Sequence, residues 1–400
     1  MFKPFLIVFI FALTSAQNAD PRCKVTKFSQ VASAVGNCTN IVINNLVVPA
    51  GKTLELYLKH GTTLTFEGIT SFEHIPWSGP LIRVKGKRVT IQGAPGSLLN
   101  GQGQLYWDHT GDKGLKKPQF MKIEVSEDSV FRNLNILNCP HHCIYIGTSD
   151  RLTITGWVID NSYGDHVDND YAIGKNTDGF DVSGATNLII ENTKVVNQDD
   201  CIALRHGANI LIRNMYCAGG HGISISVGFS YTTFIENTLY NVTVQDSVVV
   251  RSANGIHVKT HADAFKGEIK NITYQNIHCS GLQRYGITIQ QDYVNGSSSG
   301  KANTNIPIHN LNLINITGNI LETNHTSMPV YINCGKGSCD GWSWSGIHIS
   351  GGKKSICNNY EPEGYSCLAS SGIGLTFNNF LLKIQFLIIV FIGVNSIFLP

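Results

Sequence analysis

Three aspartates and a histidine in the middle of the chain have the types and spacing for proton-transfer chemistry. Asp178 lies in the word NTDGFD that begins at Asn176, Asp199 and Asp200 in QDDC from Gln198, and His221 in GGHG from Gly219. Asp178 and Asp199 are 21 residues apart, and Asp200 and His221 are also 21 apart. A repeat of about 20–30 residues is the mark of a solenoid, whose coils stack equivalent positions roughly 4.8 Å apart. Such stacking would gather the four side chains on one face. Crowded carboxylates repel, so one is pushed to a higher pKa than its neighbours, as a hydrolase with one acid and one base requires. Each word alone also reads as a turn, because Asp and Asn flanked by Gly commonly make turns. Turn chemistry does not require acids and a histidine at matched coil positions, and the convergence is what favours catalysis.

The elements that must position these groups read as many short strands. Apolar alternation recurs at Leu188-Ile189-Ile190, Ile210-Leu211-Ile212, Val242-Thr243-Val244, Ile272-Thr273-Tyr274 and Leu311-Asn312-Leu313, and the chain holds 40 glycines. Parallel strands in coils wound the same way follow, with the polar stretch from Asp160 to Lys175 as a surface loop beside the cleft. Of the 400 residues 42% are hydrophobic and 14% charged, which suits one long core. A net charge of +2 without basic runs gives no footprint for nucleic acid.

Residues 1–16 read as a secretory signal: Lys3, an apolar run to Leu13, and small residues to Ala16. The 11 cysteines should then pair in an oxidising compartment. Spacing points to Cys23–Cys38, Cys201–Cys217, Cys334–Cys339 and Cys357–Cys367, leaving Cys139, Cys143 and Cys279 unassigned and at least one thiol free or bonded elsewhere. Sequons at Asn37, Asn241, Asn271, Asn295, Asn315 and Asn324 fit a secreted glycoprotein, although solenoid asparagines also stack in ladders. Residues 368–400 end in a hydrophobic tail that reads either as a glycolipid-anchor signal, with membrane attachment through the lipid, or as an extension.

NTDGFD, NQDDCIA, GGHGISI, YGITIQQDY and CGKGSCDGWSW resemble, in order and spacing, the motifs of the polygalacturonases of glycoside hydrolase family 28. The likeness runs from about Cys23 to about Cys367. It implies an all-β, single-stranded right-handed parallel β-helix that hydrolyses α-1,4-galacturonosidic bonds of pectin with inversion, as a secreted monomer without cofactor or metal. By that resemblance Asp199 is the general acid, Asp178 and Asp200 activate water, and His221 holds the acid's protonation state. Asn176, Lys259 and Tyr285 contact the substrate. The family's Arg-Ile-Lys reads His257-Val258-Lys259 here, so a planar, permanent cation is replaced. The expectation is that protonated His257 binds the carboxylate, with activity mainly at acidic pH. Endo action is preferred. A hydrolase of rhamnogalacturonan or xylogalacturonan, and a pectin-binding protein without activity, are the alternatives that position 257 opens.

Overall fold

The computed structural model describes residues 21–168, 171–294, 296–321 and 326–367. Residues 1–16, the tail 368–400 and the sequons at Asn295 and Asn324 lie outside them. Among the described residues, 28 strands join in one coiled sheet whose pairings are parallel except for the hairpin of Tyr293-Val294 with Ser297-Ser298. This is the parallel β-helix that the recurring strand pattern predicts.

Alternation inside each strand decides what each coil contributes. Phe180, Ile202, Ile223, Ile256, Ile287 and Val330 stand in register on successive strands and are fully buried. One residue further along each strand, Asp181, Ala203, Ser224, His257, Thr288 and Tyr331 form the next register row. Val182, Leu204, Ile225, Val258, Ile289 and Ile332 return to the interior. Side chains two apart share a face of a strand, so one face builds a dry core while the other presents polar groups to the cleft.

Asparagines turn the corners. Asn187, Asn209, Asn241, Asn271 and Asn310 all have φ between 52° and 57°, the left-handed region that Asn tolerates better than most residues. Each amide from Asn209 onward donates to the Asn one coil before it, at 3.0–3.2 Å. A second run joins Asn315 to Asn276 at 3.0 Å and Asn276 to Asp246 at 2.8 Å. Three expected sequons, Asn241, Asn271 and Asn315, are therefore ladder rungs whose Nδ2 already donates. A glycan on that nitrogen would remove a rung. Asn37 differs, closing the helix Val31–Asn37 with a bond from its amide to the Ser33 carbonyl at 2.8 Å.

Both ends of the described stack are covered. Val31 and Ala34 of the short helix pack onto the first coils, and the stacked rings of Trp342 and Trp344 lie 6.1 Å apart in the last. All four expected disulfides form. A fifth, Cys139–Cys143, joins two of the three unassigned cysteines, and Cys279 is a buried free thiol with its pKa pushed up to about 12 by burial.

Candidate active site

The strand Phe180–Val196 pairs with Ile202–Ala218 at an offset of 22 residues, Phe180 with Ile202, and the next pairing, Ile202 with Ile223, has an offset of 21. Extending those registers two residues backwards sets Asp178 opposite Asp200 and Asp200 opposite His221. The uniform 21-residue spacing read from the sequence instead matched Asp178 with Asp199. The bend at Asn197–Asp200 turns Asp199 towards the same site: Asn197 Nδ2 reaches the carbonyls of Thr177, Asp199 and Asp200 at 2.9–3.0 Å. The His221 amide donates to the Asp199 carbonyl at 2.9 Å. Gly219, at φ 88°, and Gly222, at φ 96°, supply left-handed backbone on either side of that contact.

Asp178, Asp199, Asp200, His221, Asn176, His257 and Lys259 all line one cavity of about 660 Å³. Tyr285 lines a smaller adjoining pocket of about 90 Å³, where its ring stacks on Tyr331 at 5.4 Å. Asp199 Oδ1 lies 3.0 Å from His221 Nδ1 and accepts the Asp200 amide at 2.8 Å, while its Oδ2 accepts from Asn176 at 3.2 Å. Asp200 pairs with Lys259 Nζ at 2.8 Å and accepts from Ser224 Oγ at 2.6 Å. Asp178 Oδ1 is buried without a hydrogen-bond donor, 3.6 Å from His142 Nε2.

Electrostatics separate the carboxylates. Burial raises Asp178 well above the usual carboxylate range, and the charges of Asp199 and Asp181 add to the rise. Burial also opposes ionisation of Asp199, but His221 and Lys259 overcome it and hold that carboxyl low. His221 is raised to about 9, chiefly by Asp199. Asp178 is thus biased towards its protonated form and His221 towards the imidazolium, whereas the expected acid, Asp199, is biased towards the carboxylate and shares a short contact with that imidazole.

Three further residues were missed from the sequence. His142 Nδ1 lies 3.0 Å from Asp181 Oδ2, and Arg205 reaches Asp181 Oδ1 at 2.5 Å. Burial opposes the charge on His142, yet Asp181 and Asp178 raise its pKa to about 10. Arg205, Asp181 and His142 thus form a charged chain ending beside Asp178. Asp181 was visible as the last letter of NTDGFD, but His142 was not. Its coil is followed by the long polar loop, and the pairing of Ile144 with Phe180 stretches the offset to 36 residues.

His257 differs from expectation in its charge. Its ring is buried, Nε2 has no partner, and Nδ1 lies 3.5 Å from the Asn254 amide. Burial, then Lys259 and His221, push its pKa well below the ordinary value, so the imidazole resists the protonation proposed for it. Among the described residues three Asp/His groups have metal-like spacing, with ligand atoms within 4.8 Å of one another: Asp199-Asp200-His221, His142-Asp178-Asp181 and Asp112-His141-His142. Each contains a histidine whose carboxylate neighbours favour the cation, His221 in the first and His142 in the other two, and a cation offers protons rather than a lone pair; in the third, burial lowers the pKa of His141.

The cavity of the three aspartates continues in both directions along the outer face. A depression of about 350 Å³ shares Phe229 with it, and one of about 910 Å³ beyond shares Glu124 and Thr148 with the second. In the 910 Å³ depression Lys85 and Glu124 pair with each other at 2.9 Å. On the other side lies the pocket of Tyr285, which shares Asn254, His257, Arg284 and Tyr293 with the catalytic cavity.

Residues 38–367 match the family described as Glycosyl hydrolases family 28. A polygalacturonase of Phaedon cochleariae is 48% identical over 361 residues, covering 89% of this chain and 96% of its own. Endopolygalacturonase I of Aspergillus niger is 45% identical over 350 residues, covering 86% and 91%. In structure the chain is similar to endopolygalacturonase I from Stereum purpureum complexed with two galacturonate, with a TM-score of 0.76, 31% identity, and 86% of this chain and 98% of that one covered.

Proposed function

The chain belongs to glycosyl hydrolases family 28, and from that premise we propose that it is a secreted endopolygalacturonase cutting α-1,4-galacturonosidic bonds within pectin. The observation that carries this reading is the convergence of Asp178, Asp199, Asp200 and His221 on one cavity that also holds Lys259 and Arg284. A uronate polymer needs acids for the chemistry and cations for the substrate. Endo action is supported by depressions that continue on both sides of the centre, so a chain has room to lie across it. Five disulfides suit an oxidising, extracellular setting.

Asp199 serves as general acid in this reading, with the proton drawn from His221 across their 3.0 Å contact. The leaving sugar oxygen takes that proton as the glycosidic bond breaks, and water adds to the anomeric carbon. Asp178 and Asp200 flank that water: Asp200 accepts its proton, and Asp178, biased towards its protonated form, orients it. One oxygen each of Asp199 and Asp200 lies within 4.8 Å of the other. That is closer than the roughly 6.5–9.5 Å of most inverting pairs. Inversion therefore rests on family membership and on water held between Asp178 and Asp200.

Incubation with polygalacturonate, with products sized over time and Asp199→Asn as control, tests the proposal. Oligomers of mixed length from the wild type, with the β-anomer formed first by proton NMR, are expected. Monomer alone would mean exo action, the α-anomer first would mean retention, and no products would remove the hydrolase reading for this substrate.

A further inference from the structure

Most cations around the catalytic cavity are already engaged. Lys259 is held by Asp200 at 2.8 Å, Arg205 by Asp181 at 2.5 Å, and His221 by Asp199 at 3.0 Å. His257, where a charge was expected, is buried, and burial and Lys259 disfavour its protonation. Arg284 is different. Among the described residues no carboxylate pairs with its guanidinium, which lies exposed 5.5 Å from the Tyr285 ring centroid. It lines both the catalytic cavity and the Tyr285 pocket, as does His257.

The backbone places Arg284 on the coil after His257. Its amide donates to the Ala253 carbonyl at 2.9 Å, and the neighbouring Tyr285 pairs with Asn254. Asn254 in turn is the residue that approaches His257 Nδ1 at 3.5 Å. A charge moved from position 257 to position 284 therefore stays within one subsite while changing strand. Arginine supplies what the buried imidazole cannot: a permanent positive charge and a planar fork matched to a carboxylate.

Building on the polygalacturonate reading, we propose that Arg284 is the specificity residue that binds the uronate carboxylate in the pocket walled by Tyr285, with His257 as its buried neighbour. The ligand class is a free carboxylate, because a methyl ester offers no negative charge to the guanidinium.

The test is calorimetric binding in an Asp199→Asn background, which prevents cutting, using a galacturonate hexamer and its fully methyl-esterified form. Arg284→Ala is expected to weaken the acid form tenfold or more and change the ester less than twofold, with Arg284→Lys in between. Adding His257→Arg to Arg284→Ala should restore most of the lost affinity. Equal losses for both forms, or none, would overturn the assignment while leaving the polygalacturonate reading in place. Failure of the parent to bind either form would overturn both. Because the Arg284 side chain is exposed, these variants are expected to fold, and unchanged thermal melting would verify it.

Discussion

His142 and His221 are histidines whose positive charge is favoured by carboxylates from neighbouring coils. Both have folded pKa values above the ordinary histidine value of 6.5, at about 10 and about 9. A raised pKa means that the folded state binds the proton more tightly, so its stabilisation is complete below pH 6.5 and disappears as pH rises through the folded value. The His221 side chain is 46% exposed and its pairing is screened, whereas that of His142 is 20% exposed and carries more of the effect. Urea midpoints are therefore predicted to fall between pH 6.5 and pH 10, and to fall less in His142→Gln than in the wild type. Parallel curves for the two proteins would deny His142 this role. The departure at position 257 was legible in the sequence, but its consequence was not. Whether a histidine is charged depends on burial and on neighbours from other coils.

Stacked coils make the asparagine corners a cooperative feature, since each rung donates to one coil and accepts from another. Asn271 sits in mid-ladder, donating to Asn241 at 3.1 Å and accepting from Asn310 at 3.0 Å, with φ at 57°. Asn271→Ala loses two hydrogen bonds and puts in left-handed backbone a residue without the polar side chain that lets Asn tolerate it, with a cost of roughly 2–4 kcal/mol. Asn271→Gly keeps the backbone conformation at ease and loses only the rungs, for about 1–2 kcal/mol. Equilibrium unfolding of the pair separates the two contributions, and an Ala variant no worse than Gly would show that the corner is not conformationally demanding. Strands and repeat were readable because apolar alternation is local. The ladder was anticipated only as an alternative use of sequon asparagines, since the same letters serve both purposes.

At the scale of the whole molecule, the β-helix turns distance along the chain into height along an axis. Regular coils between Asp178 and His221 let sequence spacing predict their meeting. Where a loop intervenes, as between His142 and Asp178, the same logic fails because insertion length is not repeated. Cys139 and Cys143 likewise gave no sign of their pairing, since their separation of 4 residues becomes a bridge only through the geometry of their coil. The proposed hydrolysis requires the three acids to work as one unit rather than as separate contributions. The most direct test is kcat for reducing-end release from polygalacturonate by Asp178→Asn, Asp199→Asn, Asp200→Asn and the triple variant. Each single change is predicted to lower kcat by about a thousandfold or more, equivalent to roughly 4 kcal/mol of transition-state stabilisation, with the triple variant little worse than the worst single one. A single variant that kept a tenth of wild-type kcat, or losses that multiplied through to the triple variant, would contradict the account.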